Sequence, residues 1–152
     1  MAKFVYKLQS ILNLKSKMEE QAKNEYAIAK SALDAENDKL ANLIARKTEY
    51  EERLRGQVES VLNIRDIMLS HQAIETLEDL IEEQKQKVDL AEKKVEKARI
   101  KMNAAVIDRK THEKLKENAF EEFVREINHE ESKETDELVS YKFNNSNSSE
   151  DV

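Results

Sequence analysis

The 152-residue chain has one Gly, no Pro, no Cys and no Trp, and 38% of its residues are charged. Gly and Pro supply the turns on which sheets, barrels and punctuated repeats depend, so this composition excludes those folds. With 39% hydrophobic residues and a net charge of −6, the chain suits a narrow apolar seam between long helices. Without Cys it has no disulfide framework, and it lacks the basic stripe of a nucleic-acid-binding protein.

The first 17 residues carry four Lys and no acidic residue, with apolar residues between the lysines. Polar residues such as Gln9, Ser10 and Asn13 interrupt the apolar run, so the segment does not resemble a signal peptide. No stretch of the chain approaches the roughly 18 apolar residues of a membrane span. We predict that this segment opens the first helix; a basic amphipathic helix on a membrane surface is the alternative.

Apolar residues then recur with a period of 3.5 residues, which predicts a coiled-coil seam. From residue 26 the three-four alternation is unbroken, although Glu36 and Lys47 are polar members. Ahead of it, the step from Met18 through Ala22 adds an extra interval of four, which predicts a stutter. The predicted seam positions are Phe4, Leu8, Ile11, Lys15, Met18, Ala22, Tyr26, Ala29, Leu33, Glu36, Leu40, Leu43, Lys47, Tyr50 and Leu54.

The single Gly, Gly56, follows the end of this series, and the apolar pattern is irregular from there to residue 69. We therefore predict a helix at about 3–57 and a helix–helix turn at about 56–66.

A second series of the same period predicts another helix at about 66–140. Its seam positions are Ile74, Leu77, Ile81, Gln84, Val88, Ala91, Val95, Ala98, Met102, Ala105, Arg109 and His112. Residues 1–142 are thus expected to form one all-α domain, a long antiparallel two-helix coiled-coil hairpin. The polar tail, residues 143–152, has no periodicity and is expected to be disordered.

The charge distribution favours the antiparallel arrangement. Residues 113–152 carry 12 acidic and five basic side chains, whereas the opening segment is purely basic. An antiparallel pair brings these ends together, and each exposed ion pair contributes about 0.5 kcal/mol. The lysines concerned are Lys3, Lys7, Lys15 and Lys17, and the acids are Glu117, Glu121, Glu122, Glu126, Glu130 and Glu131.

The sequence offers no pattern of catalysis, of metal binding or of cofactor binding. His112-Glu113 begins like a zinc-protease helix, but Lys116 stands where the second His is required. One Gly cannot form a phosphate-binding loop, and carboxylates on solvated helix faces lack the pocket that tunes a catalytic pKa. We predict that the protein is not an enzyme and has no cofactor.

Three segments together resemble the flagellar export protein FliJ family. They are the opening at residues 4–15, the post-turn segment at 71–81, and the run at 108–117 that is followed by Phe120-Glu121-Glu122-Phe123 and Asp136-Glu137-Leu138. This resemblance spans nearly the whole chain apart from the tail.

The resemblance implies a cytoplasmic component of the bacterial flagellar type III protein export apparatus, peripherally associated with the inner face of the cell membrane at the flagellar base. Its implied partners are the hexameric export ATPase, the export gate membrane protein and export chaperones. The end that carries both termini is implied to enter the ATPase ring. The candidate ring-binding residues are Phe4, Leu8, Ile11, Leu12, Phe120, Phe123 and Ile127.

The family's gate-binding stripe has a spacing of four, three and four residues just after the turn. Here it falls on Ala73, Leu77, Leu80 and Gln84, although the family usually has an aromatic residue at the first position and His at the last. An exposed apolar stripe would favour a protein partner; a widened core at the turn is the other interpretation. We expect a monomeric hairpin that couples the ATPase ring to the gate; the alternative function is a self-associating coiled-coil scaffold.

Overall fold

The computed structural model describes residues 2–59 and 63–148. In this part of the chain all regular structure is helical, and two helices account for it. Helix α1 runs Gln9–Glu59 and helix α2 runs Ile64–Ser148. The two helices pack against each other, which confirms the all-α two-helix fold. The middle of the predicted turn, residues 60–62, lies outside the described residues.

The chain divides into two units. The terminal unit comprises Met1–Met18 with Val106–Val152, and the central unit comprises Glu19–Ala105. In the central unit, Glu25 pairs with Lys101 at 2.8 Å and Lys47 pairs with Glu78 at 3.4 Å. As residue numbers rise along α1 they fall along α2, so the helices of this unit are antiparallel.

The central unit buries the predicted seam. Ile74, Leu77, Ile81 and Val88 of α2 are buried, and the predicted α1 positions from Tyr26 to Leu54 are all half-buried. Because each helix has a single partner, no side chain in the described residues is fully removed from solvent. The seam stabilises the fold through many partly buried side chains. Each contributes less than the roughly 1.5–3 kcal/mol of a fully buried aliphatic side chain.

The predicted stutter near Ala22 is wrong. Met18 is 46% exposed, whereas its neighbour Glu19 is 6% exposed and lies in the seam. Within the central unit, the interhelical face follows Glu19, Ala22 and Tyr26 at intervals of three and four residues, without the predicted extra interval of four. The Glu19 carboxylate pairs with Lys23 of the same helix at 2.7 Å, which offsets part of the cost of burying its charge.

Gly56 does not form the turn. It lies within α1, three residues before the helix ends, and no Gly in the described residues has a positive φ. The structure also differs at the chain ends. Residues 2–8 precede α1 instead of belonging to it, and residues 143–148 of the expected disordered tail continue α2. Residues 149–152 lie outside the described residues.

Candidate docking surfaces

An aromatic cluster organises the terminal unit. The Phe4 ring lies 5.2 Å from the Phe120 ring at 77° and 5.3 Å from the Phe123 ring at 51°. Tilted and edge-to-face pairs of this kind each contribute about 0.5–1.5 kcal/mol beyond their buried area. The non-helical segment before α1 thus places Phe4 against α2. Lys3 and Lys7 belong to this segment and are not part of the first turn of α1, where a cation would be unfavourable.

The predicted ring-binding residues divide into interior and surface positions. Leu12 is 7% exposed and belongs to the interhelical seam, while Phe4, Phe123 and Ile127 are half-buried. Leu8, Ile11 and Phe120 present 44%, 38% and 49% of their surfaces to solvent. The prediction also omitted several exposed apolar side chains of this unit, namely Val5, Leu14, Met18 and Val124.

A groove beside the aromatic cluster runs between the segment before α1 and α2. It is lined by Phe4, Val5, Tyr6, Lys7, Leu8, Ala119, Glu122, Phe123 and Glu126. The Tyr6 hydroxyl is buried here and has no hydrogen-bond partner among the described residues, although buried polar groups are normally paired. The groove therefore combines apolar walls with charged margins, a combination common at protein interfaces.

In the terminal unit, an interhelical ion pair joins Lys15 to Asp108 at 2.8 Å. The hydrogen bond from the Lys15 ammonium lowers the pKa of the Asp108 carboxyl. His112 Nε2 lies 3.5 Å from the same carboxylate. In the described residues, no ion pair joins Lys3, Lys7 or Lys17 to the six predicted acids. The basic opening segment and the acidic end of α2 belong to the same unit, as predicted. Lys15, however, pairs with Asp108, an acid that the prediction omitted.

The predicted gate-binding stripe of the central unit also divides. Leu77 is buried in the seam, and so is Gln84, whose amide donates to the Glu36 backbone carbonyl at 3.0 Å and to the Glu36 carboxylate. The Gln84 hydrogen bond lowers the pKa of the Glu36 carboxyl. Leu80 is 42% exposed and Ala73 is half-buried. Two of the four positions therefore face α1.

A neighbouring stripe on α2 is more accessible. Leu69, Ala73 and Leu80 lie on one helical face at intervals of four and seven residues, and Leu69 is 55% exposed. Ala73 lines a shallow groove with Arg46, Glu49, Tyr50, Arg53, Thr76 and Leu77, where the Arg53 guanidinium lies 5.5 Å from the centre of the Tyr50 ring. The sequence did not identify Leu69 as a surface residue, because the apolar residues between Gly56 and Leu69 follow no single helical spacing.

In residues 2–59 and 63–148, no group of three or more His, Cys, Asp or Glu side chains is arranged to hold a metal ion. Within the same ranges, neither helix contains a segment long and apolar enough to cross a bilayer.

The fold is a pair of long antiparallel helices, and both units have exposed apolar side chains. These features are typical of coiled-coil proteins that bind other proteins. The family model described as Flagellar FliJ protein matches residues 4–148. The chain belongs to the FliJ family, and is thereby a component of flagellar type III protein export, a non-catalytic one by family. Comparison with curated proteins and with solved structures gave no match.

Proposed function

We propose that this protein couples the flagellar export ATPase to the export gate in the cytoplasm, at the inner face of the membrane. The observation that supports this most directly is the presence of separate exposed apolar surfaces on the two units of a chain of this family. Such surfaces favour protein partners, because neither of the two helices in the described residues covers them.

The terminal unit is the proposed contact with the hexameric ATPase. Its surface is formed by Leu8, Ile11 and Phe120, while Phe4 and Phe123 hold the segment before α1 against α2. Leu12 and Ile127 support this surface from the less exposed side of the helices. A single copy of the chain is the proposed ring-bound form.

The central unit is the proposed contact with the gate membrane protein. Leu80 and Ala73 are the candidate contacts from the predicted stripe, and Leu69 extends it. Leu77 and Gln84 act by keeping α2 in place against α1. Export chaperones are proposed as additional partners, with no residues assigned to them.

The ATPase contact is tested by measuring the turnover and oligomeric state of the cognate ATPase with and without this protein. We expect stimulation by the wild-type chain and a loss of stimulation for Ile11→Asp, which places a charge on the exposed face of α1. Leu90→Asp is the matched control, since Leu90 is 58% exposed on the central unit. An ATPase that responds identically with and without the wild-type protein would refute the coupling role.

The gate contact is tested by Leu80→Asp in a binding assay with the cytoplasmic part of the gate protein. We expect weaker binding with unchanged helicity by circular dichroism, because Leu80 is on the surface. Leu90→Asp again serves as the control. A fall in melting temperature for Leu80→Asp alone would identify Leu80 as a core residue and contradict the assignment.

A further inference from the structure

A second groove of the central unit lies further along α2 than the proposed gate contact. It is lined by Ala29, Ala32 and Glu36 of α1 and by Lys87, Leu90 and Lys94 of α2; we refer to these six residues as the lysine groove. Leu90 is 58% exposed. The small alanine side chains of α1 leave room beside it, so the groove offers an apolar contact with a lysine on either side.

The side of α2 that faces the groove is basic. Starting from Lys87, it passes at intervals of three and four residues through Leu90, Lys94, Lys97 and Lys101, with no acidic residue among them. The other side of the seam over the same span carries Lys85, Asp89, Glu92, Glu96 and Arg99. The groove side thus has four lysines and no acid, whereas the other side has two basic and three acidic residues. This difference favours a negatively charged partner on the groove side.

Two lysines on this side are free to pair with a partner. Among the described residues, neither Lys94 nor Lys97 has an ion-pair partner, and both are exposed. Neighbouring cations are already paired with acids, namely Lys93 with Asp89, Arg99 with Glu96, and Lys101 with Glu25. The charges of Lys94 and Lys97 are therefore available on the surface beside Leu90.

The groove wall also contains an acid, Glu36. Its carboxylate accepts a hydrogen bond from the Gln84 amide and pairs with Lys39 at 3.7 Å. The Gln84 hydrogen bond, helped by the nearby charges of Lys39 and Lys87, lowers the pKa of this carboxyl. Because Gln84 and Lys39 already engage Glu36, its charge only partly offsets the lysines of the groove.

We propose that the lysine groove binds an acidic amphipathic helix of a partner protein. A helix in a groove is a common mode of recognition, in which apolar anchors provide affinity and flanking charges provide specificity. The apolar stripe of the partner covers Leu90 and Ala32, and its carboxylates meet Lys87 and Lys94. These two lysines are seven residues apart in sequence, or about 10 Å along the helix, so we expect partner carboxylates two helical turns apart.

The shape of the groove favours a helix over a membrane surface. Ala29 is half-buried between the two helices. A bilayer is flat on this scale, so it reaches the ends of lysine side chains without filling the space beside such a residue. The side chains of a helix, in contrast, enter the groove and cover Leu90.

The lysine groove begins one heptad beyond Leu80, on the same side of α2. Its occupant adds to the gate contact and does not depend on it. Leu90→Asp is the control in the gate and ATPase assays, whereas here it removes the apolar contact under test. The two proposals can therefore fail separately.

The test measures binding of a synthetic helical peptide to the full chain by fluorescence anisotropy. The peptide spans about two heptads, is stapled to hold its helix, and carries a stripe of Leu and Ala flanked by Glu. We expect Leu90→Asp, and separately the pair Lys87→Glu with Lys94→Glu, to weaken binding by about tenfold. The matched control is Lys30→Glu with Lys85→Glu, which changes the net charge equally at exposed positions outside the groove. It should alter the affinity by less than about twofold.

Exchanging the charges checks that the groove itself recognises them. A second peptide with Lys in place of every Glu should bind the variant with Lys87→Glu and Lys94→Glu about tenfold more tightly than it binds the wild-type chain or the control variant. A third peptide has the composition of the first in an order that breaks the apolar stripe, and it should bind about tenfold more weakly than the first. Circular dichroism of each variant verifies that its helicity is retained.

The proposal is wrong if the first peptide does not bind the wild-type chain, or if the control pair weakens binding as much as the groove pair. It is also wrong if vesicles of phosphatidylcholine and phosphatidylserine bind the chain through Lys87 and Lys94 while the peptide does not. Self-association in sedimentation equilibrium that Leu90→Asp abolishes would identify a second copy of this chain as the occupant instead. Absent gate binding or ATPase stimulation, by contrast, would refute the coupling role and leave the groove assignment intact.

Discussion

Replacing Gly56 by Ala distinguishes a helical from a turn role for the only Gly in the chain. Gly56 lies inside α1, its φ is not positive, and a Cβ built on it meets nothing within 4 Å. Gly costs roughly 0.5–1 kcal/mol relative to Ala in a helix interior, because the unfolded chain loses more conformational freedom on folding. We therefore expect Gly56→Ala to stabilise the protein.

The size of the gain follows from the position of Gly56. The residue lies in the last turn before Glu59, where helix ends fray, so about 0.5 kcal/mol of the full effect is expected. For a chain of this length that corresponds to a rise in melting temperature of about 1–2 °C. The assay is urea unfolding followed by circular dichroism at 222 nm, supported by thermal melts.

A matched control reverses the change on the same helix. Ala45 is an exposed interior residue of α1, and Ala45→Gly should destabilise the protein by about 1 kcal/mol. If Gly56→Ala instead destabilises by 1 kcal/mol or more, residue 56 requires a left-handed backbone. The turn would then include Gly56, and the argument from helix continuity would be refuted.

Gln84→Ala should destabilise by about 1 kcal/mol in urea unfolding, because it removes two part-buried hydrogen bonds to Glu36; exposed Gln86→Ala should change stability by under about 0.5 kcal/mol. The pKa of Glu36 is lowered in the folded state, so the ionised carboxylate stabilises the fold fully above its ordinary pKa of 4.5. This contribution is lost as the pH falls through the lowered pKa of the folded protein. Glu36→Gln should therefore flatten the acid limb of a plot of unfolding free energy against pH. Phe4→Ala should cost the terminal unit about 2 kcal/mol, seen as faster amide hydrogen exchange near Phe123, while exposed Val5→Ala should leave exchange unchanged.

The period of the apolar residues predicted two long helices that pack through a narrow seam, and the charge distribution predicted their antiparallel arrangement. Every seam position predicted from Tyr26 to Leu54 and from Ile74 to His112 is buried or half-buried. The same period failed near the start of α1, because hydropathy favoured Met18 over Glu19. A charged residue with an ion-pair partner can occupy a seam that is only partly closed to water.

The docking surfaces were less predictable, since exposure depends on which of two neighbouring apolar phases the partner helix covers. Leu77 and Leu80 are equally apolar in sequence, but α1 buries the first and leaves the second exposed. The ring contacts of Phe4 could not be predicted from the sequence either. The segment before α1 is not helical, so no helical period gives its backbone path or the place where Phe4 meets α2.

The bond between Gln84 and Glu36 also determines how the two helices can be displaced along each other. A repeating heptad seam matches itself again after a slip of one repeat, about 10 Å at 1.5 Å per residue. Such a slip would place Gln84 opposite Ala29 or Leu43, and its amide would lose the Glu36 carboxylate as an acceptor. This polar pair thus favours one longitudinal alignment of the heptad seam, together with the Glu25–Lys101 and Lys47–Glu78 ion pairs.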